Sequence, residues 1–333
     1  MRLNFTTSSF SLIAIAAALA MSATANAGCT PNVLSQPFST CIGTNALANN
    51  TADTNVGVGY DAMRENTSGY DNTAIGKGAL GQNKTGNYNT AAGSYALVAS
   101  TGSLNTGIGA GALSAANSGN ANTSTGYESM FSNTSGQYNT ATGAVALHEN
   151  LTGSYNTASG MSALYSNKTG HSNTASGAYA LFQNTSGIRN TASGSSAMIS
   201  NTRGDFNTAS GFGALNGNTT GSSNTASGDS ALYSNTTGGK NVAVGFEAAK
   251  AQTTGSSNTA VGYQAGLAWT TGRNNIAIGA GAGKNQTAGS NNIAIGAAGA
   301  SSDTAIIRIG TSGAQTSTFI AGIGNSAVAR GML

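Results

Sequence analysis

Glycine, asparagine and small apolar residues recur along this chain with a period of 17 residues. When the Asn of an Asn-Thr-Ala-x-Gly pattern is counted as position zero, fifteen copies begin between residues 55 and 292, and a single interval of 16 residues interrupts the intervals of 17. A degenerate copy, Cys41 to Leu47, precedes them. Helical repeats need longer units with apolar residues three and four apart. So short a period, rich in Gly and Asn, is typical of one coil of an all-β, parallel β-roll or β-solenoid.

Glycine marks the turns of the predicted coil. Position plus four is Gly in all fifteen copies, from Gly59 to Gly296, which predicts a turn with positive φ. A second Gly near plus fourteen predicts another turn. We therefore expect two short strands in each flattened coil. Ala at plus two and plus seven suits the thin interior that would lie between two such sheets.

The charged residues of the repeats avoid a constant set of positions. Within residues 55–302, no charge lies at zero to plus four, plus seven, plus eight or plus eleven. Because burial excludes unpaired charge, this set predicts the packed face of the coil. The Asn residues at zero and plus eleven are predicted to form ladders in which side-chain amides bond from coil to coil.

Position plus eight is Leu or Met in the first eleven copies, directly after the Ala at plus seven. Adjacent residues of a regular strand point to opposite faces. Either the chain bends at a corner there, or the Leu ladder contacts another chain. In the last coils plus eight shrinks to Ala or Gly, while Thr and Ser at plus one and plus three become Val and Ile, which suggests that apolar bulk moves between ladders. The candidate subunit-interface residues are Val242, Val244, Ile276, Ile278, Ile293 and Ile295.

Position plus nine carries a row of mostly aromatic residues, interrupted by Asn216. An exposed aromatic row is a candidate contact for a ligand or a subunit. The alternative is cross-coil stacking that stabilises the sheet, and stacking or a subunit interface is favoured over ligand binding. The members of this candidate ladder are Phe131, His148, Tyr165, Phe182, Ile199 and Tyr233.

The charge and the N-terminal segment of the chain limit the class of protein to which it can belong. Only 7% of the residues are charged, the net charge is +3, and the 13 Lys and Arg residues are scattered singly, which disfavours a nucleic-acid partner. Residues 1–27 have the basic start, the apolar run and the Ala25-Asn26-Ala27 cleavage pattern of a secretory signal. A second hydrophobic stretch is not found, so we expect an exported mature chain without a membrane span.

The two cysteines, Cys29 and Cys41, lie twelve residues apart near the start of the expected mature chain. In an oxidising compartment a disulfide between them is the natural pairing. The predicted organisation is a signal peptide (1–27), an N-terminal cap with the disulfide (28–54), a β-roll repeat array (55–302) and a C-terminal cap or connector (303–333).

The last coils carry a family resemblance. The segment from Asn274 to Ala282 resembles the head repeats of trimeric autotransporter adhesins, the YadA-like heads. Residues 258–265 also resemble repeats of tail-fibre-like exported proteins with a C-terminal intramolecular chaperone, and residues 307–323 are similar to the connector before such chaperones. The resemblance implies a left-handed β-roll assembled as a homotrimer and acting as an adhesive or spacer head. Heptads, a β-barrel anchor and a chaperone domain are not recognised, so the mode of surface anchoring stays open.

The chain has no recognisable catalytic constellation. His148 and His171 occupy different coil positions, and the acidic residues form no repeated ladder. We therefore expect no catalytic residue, no metal site and no cofactor. The expected function is that of an exported, non-enzymatic, adhesin-like or structural head at the cell surface or outside the cell, which binds extracellular matrix, a glycan or a receptor through its ladders. The alternatives are a solenoid that binds ice or crystal surfaces, suggested by Thr at plus one, and a tail-fibre-like fragment without its chaperone domain.

Overall fold

Seventeen β-strands of three residues each run through the computed structural model, which describes residues 38–311 and 313–317. Each strand occupies positions plus one to plus three of its coil, and no helix occurs in the described ranges. The strands are β1 (Thr40–Ile42), β2 (Val56–Val58), β3 (Thr73–Ile75), β4 (Thr90–Ala92), β5 (Thr106–Ile108), β6 (Thr123–Thr125), β7 (Thr140–Thr142), β8 (Thr157–Ser159), β9 (Thr174–Ser176), β10 (Thr191–Ser193), β11 (Thr208–Ser210), β12 (Thr225–Ser227), β13 (Val242–Val244), β14 (Thr259–Val261), β15 (Ile276–Ile278), β16 (Ile293–Ile295) and β17 (Ile307–Ile309).

Every strand pairs in parallel with the next strand along the chain, and the register advances by one coil. Thr157 lies opposite Thr174, and Ala158 lies opposite Ala175. The fold is therefore an all-β parallel solenoid of about sixteen turns, as the repeat predicts. The prediction of two strands in each coil is wrong, because the described remainder of each coil consists of turns and bends and the strands form one sheet.

Glycine at plus four ends each strand. At Gly177, for example, φ is +134°, and a Cβ atom there would lie 2.6 Å from the backbone of Gly194 in the next coil. Both the backbone conformation and the close approach of the coils therefore require glycine, which confirms the predicted turn with positive φ.

A corner after this glycine brings two consecutive residues into the interior. Tyr179 at plus six and Leu181 at plus eight both have left-handed φ values, 59° and 53°. Ala180 and Leu181 are fully buried, and the N–H of Leu181 donates to the carbonyl of Ala197 at 3.0 Å. A left-handed residue costs about 1–2 kcal/mol, which the burial of a Leu side chain, worth about 1.5–3 kcal/mol, offsets. The corner interpretation is confirmed, since the Leu ladder packs inside its own chain.

Two ladders of buried Asn residues line the interior beside the apolar ladders. The side-chain Oδ1 of Asn173 accepts the backbone N–H of Asn190 at 3.0 Å, and its Nδ2 donates to the carbonyl of Gly187 at 2.8 Å. In the second ladder, Nδ2 of Asn184 donates to Oδ1 of Asn167 at 2.9 Å. These bonds satisfy polar groups that burial would otherwise leave unpaired. The predicted Asn ladders at zero and plus eleven are confirmed.

In the last coils a different residue occupies the interior space that Leu or Met fills in the earlier coils. Trp269, at plus eleven, is 1% exposed, and its indole N–H donates to Oε1 of Gln286 at 3.2 Å. A Cβ atom at Gly266 would lie 2.6 Å from the Trp269 ring, and one at Gly283 would lie 3.3 Å from it. The small residues at plus eight therefore make room for Trp269. Val and Ile do replace Thr and Ser at plus one and plus three of these coils, but their side chains point outward and do not refill the interior.

An ion pair between Arg308 and Asp303 lies at the C-terminal end of the array. Arg308, in β17, donates to both carboxylate oxygens of Asp303 at 2.7 and 2.6 Å. The carboxylate is buried and also accepts the backbone N–H of Ala300 at 2.9 Å. These hydrogen bonds, led by the one from Arg308, hold the pKa of Asp303 well below its ordinary range. Asp303 lies at plus eleven and is paired, consistent with the exclusion of unpaired charge from that position.

Several predictions fall at the margins of the described ranges. The signal peptide (1–27) and Cys29 lie outside the described residues, so the disulfide and the cleavage site stay predictions. Cys41 lies in β1, is buried, and has its Sγ atom 3.2 Å from the carbonyl oxygen of Ala46. Strand β1 belongs to the degenerate copy and pairs with β2, so the solenoid begins within the predicted cap.

Candidate binding surfaces

The single sheet presents a long outer face made by the residues at plus one and plus three. Strands β1 to β16 each bury their central residue, whereas all three residues of β17 are exposed. In β9, Ala175 is buried while Thr174 and Ser176 point outward. The assignment of plus one and plus three to the packed face is therefore wrong, since side chains alternate along a strand. Even so, no charged residue occupies either position in any of the seventeen strands. Avoidance of charge in an exposed row marks this sheet face as a candidate contact surface.

The chemistry of the sheet face changes along the solenoid. Strands β8 to β12 present Thr at plus one and Ser at plus three, whereas β13 to β17 present mainly Val and Ile. The predicted interface residues thus form an apolar patch on the surface of the chain, and each except the half-buried Ile293 is exposed by 37–44%. This C-terminal apolar patch comprises Val242, Val244, Val261, Ile276, Ile278, Ile293, Ile295, Ile307 and Ile309.

The residues at plus nine form an aromatic column on a different side of the coil. Phe131 stacks on His148 with ring centroids 5.3 Å apart, His148 on Tyr165 at 5.0 Å, and Tyr165 on Phe182 at 5.2 Å. All four side chains are half-buried. Cross-coil stacking, the favoured interpretation, therefore holds for this part of the ladder, because each ring covers the face of the next.

The remainder of the aromatic column is less regular. Ile199 is half-buried and continues the row after Phe182, but Tyr233 lies beyond Asn216 and is more exposed than the stacked rings. The Tyr233 ring leans toward the preceding coil, because a Cβ atom at Gly213 would lie 3.3 Å from it. The structure thus brings together four of the six predicted ladder residues as a continuous stack.

A carboxylate is placed against the first end of this column. Oε2 of Glu128 lies 3.5 Å from Nε2 of His148. Glu128, as hydrogen-bond acceptor and as a negative charge, raises the pKa of the neighbouring Tyr127 phenol. Nδ1 of His148 is buried without a hydrogen-bond partner among the described residues. The open end of the stack is therefore locally acidic and rich in hydrogen-bonding groups.

Next to this end the surface is interrupted by a recess of about 340 Å³. Coil 105–121 carries Ala110, Gly111 and Ser114 at plus five, plus six and plus nine, where the neighbouring coils carry larger residues. The recess is consequently bounded by Tyr95 from the preceding coil and by Phe131 from the following coil. The recess thus combines the aromatic walls of Tyr95 and Phe131 with the carboxylate of Glu128.

The described residues include no group of three or more His, Cys, Asp and Glu side chains that is arranged to hold a metal ion. His171 is exposed, with its Nδ1 3.3 Å from the Ser172 hydroxyl, and belongs to no larger polar cluster that we can identify. In the part of the chain that the structure describes, no helix has the length and apolar character needed to cross a membrane.

Comparison with known proteins adds no identification. No protein-family model matches the chain, and no curated protein is significantly similar to it. The resemblance to adhesin heads and tail-fibre repeats therefore rests on the short motifs alone.

Two features of these surfaces escaped the reasoning from sequence. The recess depends on three small residues in one coil facing larger residues in two others, and aligning the coils position by position reveals this contrast. Asp303 and Arg308 pair across a shortened last interval, in which β17 follows β16 after 14 residues instead of 17. A search for charges at otherwise uncharged positions finds Asp303.

Proposed function

We propose that this protein is an exported, non-enzymatic, adhesin-like or structural head that binds through repeated side-chain ladders. The observation that carries the proposal is the sheet face, which avoids charge over its whole length although it is exposed. Isolated exposed apolar residues need no explanation, but a contiguous apolar patch on a soluble protein is typical of an interaction surface. A rigid rod with one uncharged face suits a spacer or display role.

Within this proposal the two surfaces have different partners. The C-terminal apolar patch is the contact between three copies in a left-handed, trimeric β-roll of the YadA-like kind. Val and Ile side chains packed against another copy would remove apolar area from water, at roughly 25 cal/mol per Å². The aromatic column and its recess face elsewhere and contact matrix, glycan or receptor.

The solution mass tests the assembly. Light scattering coupled to size exclusion on the secreted protein is expected to give three times the mass of one mature chain. The double variant Val244→Lys/Ile278→Lys is expected to be a folded monomer, because it places two charges in the proposed contact. Ser193→Lys, an outward-facing position outside the apolar patch, is the matched control and should remain trimeric. A monomeric wild-type protein would overturn the trimer.

Surface binding tests the adhesin-like role. The labelled protein is expected to bind to coated extracellular matrix or intact cells in a saturable manner, and N-terminal sequencing of the secreted form should begin at Gly28. Absence of saturable binding to every such surface, with a correctly folded protein, would contradict the role in adhesion and leave only a structural one.

A second candidate function is the binding of ice or another crystalline surface. The observation that favours it is the in-register pairing of Thr at plus one and Ser at plus three in β8 to β12. Such rows repeat at roughly 4.8 Å between strands, and the two rows lie about 6.6 Å apart along each strand. Measurable thermal hysteresis that Thr191→Lys abolishes would support this function, whereas hysteresis equal to that of an unrelated protein would exclude it.

A further inference from the structure

The aromatic column has one open end. Phe131 stacks on His148 on one side, while in the next coil toward the N-terminus the same position is Ser114. A Cβ atom at Gly111 would lie 3.6 Å from the Phe131 ring, so the ring lines the recess over that coil. The ladder therefore ends in an aromatic surface that no ring of the described residues covers.

The composition of the recess restricts what it can bind. Tyr95 and Phe131 supply apolar area, Glu128 supplies two acceptor oxygens, and Ser94 and Ser114 supply hydroxyl groups at the rim. None of the nine lining residues is cationic. An anionic ligand would meet the carboxylate of Glu128 and no cationic side chain among the lining residues, so charge complementarity disfavours sulfated and phosphorylated groups.

The size and depth of the recess further limit which ligands it can bind. At about 340 Å³ it lies at the lower end of the volumes of small-molecule sites. It is open to solvent on one side, so that one unit of a longer chain can enter while the rest continues outside. Such sites bind by apolar contact over most of their surface and by a few placed polar groups.

We propose that this recess binds one pyranose unit of an uncharged glycan. The apolar C–H face of the sugar lies against the aromatic wall of Phe131, and the ring hydroxyls donate to the carboxylate of Glu128. The serine hydroxyls at the rim exchange hydrogen bonds with the remaining hydroxyl groups. This inference rests on the proposed function, for which it supplies a ligand class and a location.

Saturation-transfer NMR on the full secreted protein tests the proposal. The probes are methyl β-D-glucopyranoside, methyl β-D-galactopyranoside and N-acetylglucosamine, with tetramethylammonium as a cationic probe that an aromatic cage would prefer. At least one sugar is expected to receive saturation at its ring C–H protons with a Kd on the order of 1 mM, as expected for a ligand of this size.

Two variants locate the site. Ser114→Phe places a ring in the recess at a position where Phe131 and Phe182 are accommodated elsewhere, and it is expected to weaken sugar binding at least tenfold. Asn216→Phe makes the same kind of change at the other gap in the column and is the matched control, with binding unchanged. Glu128→Gln keeps the shape and is expected to weaken binding severalfold, so the test does not depend on Ser114→Phe folding.

The outcomes separate this inference from the proposed function. If no sugar binds, if Ser114→Phe binds as the wild type does, or if only tetramethylammonium binds, the inference is wrong. If the wild type then still adheres to cells or matrix, the adhesin-like role stands with a different contact. If a sugar binds in the recess but the protein adheres to no surface, the site stands and the adhesin-like role fails.

Discussion

Replacing one ladder asparagine tests whether side-chain amides hold the coils together. Asn173 is fully buried, and its Oδ1 accepts both the backbone N–H of Asn190 at 3.0 Å and the side-chain Nδ2 of Asn190 at 3.2 Å. Its own Nδ2 donates to the carbonyl of Gly187 at 2.8 Å. The variant Asn173→Ala removes these three bonds and a fourth, from Nδ2 of Asn173 to Oδ1 of Asn156 at 3.2 Å. It leaves the packing of the neighbouring Ala and Leu ladders in place.

The expected loss of stability depends on which polar groups lose their hydrogen-bond partners in this variant. In Asn173→Ala the buried N–H of Asn190 loses the only acceptor that we observe for it, which costs about 1–3 kcal/mol. Nδ2 of Asn190 keeps the carbonyl of Gly204, the carbonyl of Gly187 keeps Nδ2 of Asn184, and Oδ1 of Asn156 keeps the backbone N–H of residue 173. Losing one bond at each of these three groups costs about 1 kcal/mol apiece. We expect a total loss of about 4–6 kcal/mol.

The variant Asn173→Ser tests how much of the expected loss comes from the unpaired N–H of Asn190. Position zero of the first coil is Ser39, whose Oγ accepts the backbone N–H of Asn55 at 3.2 Å. A serine at residue 173 is therefore expected to keep the most costly of the lost bonds and to destabilise the protein by about half as much as alanine. Asn285→Ala, which removes an exposed amide, is the control and should change stability by less than about 0.5 kcal/mol.

Urea unfolding gives the overall change in the free energy of unfolding. Because a solenoid can open coil by coil, hydrogen exchange of the segment around Asn190 gives the local change. The ladder argument is refuted if Asn173→Ala costs less than about 1 kcal/mol, or if the serine and alanine variants are equally destabilised.

Three further predictions concern a turn, a break in a ladder and the C-terminal ion pair. Gly177→Ala is expected to destabilise the protein by about 3 kcal/mol or more, because φ is +134° and the new methyl would lie 2.6 Å from the next coil; an unchanged urea midpoint would show that the coils can separate there. Ser100→Asn is expected to stabilise the protein by about 1–2 kcal/mol, since the Ser100 hydroxyl and Nδ2 of Asn117 are both buried without a partner among the described residues; a loss of stability would show that the 16-residue coil has no room for the amide. Asp303 has a folded-state pKa below its unfolded value of about 3.9, so its contribution is full above about pH 5 and is lost as the pH falls through the acidic range. The difference in stability between wild type and Asp303→Asn should therefore shrink as the pH is lowered from 5 toward 2, and a constant difference would exclude this linkage.

Much of the interior was predictable from residue identity and periodicity. The 17-residue period, the Gly at plus four and the Asn at zero and plus eleven each carry a local physical requirement that repeats unchanged in every coil. Positive φ at Gly177 and the amide bonds of Asn173 follow from those requirements alone. The avoidance of charge identified the buried Ala, Leu and Asn positions for the same reason.

The predictions that failed depend on how one coil lies on the next. Plus one and plus three avoid charge as strictly as the buried positions do, so the sequence pattern by itself does not distinguish an exposed uncharged face from a packed one. The structure distinguishes them because Thr174 and Ser176 flank a buried Ala in a strand, and alternation directs them outward.

The sequence by itself determined the repeat, the parallel solenoid and the buried Ala and Asn ladders, because each depends on requirements that act within one coil or between identical positions of adjacent coils. Only the tertiary structure decided that each coil has one strand, that the Leu ladder turns inward at a left-handed corner, and that Trp269 replaces it in the last coils. It also revealed the recess beside Phe131. These features arise from the backbone path and from contacts between unlike positions in different coils, which periodicity alone does not specify.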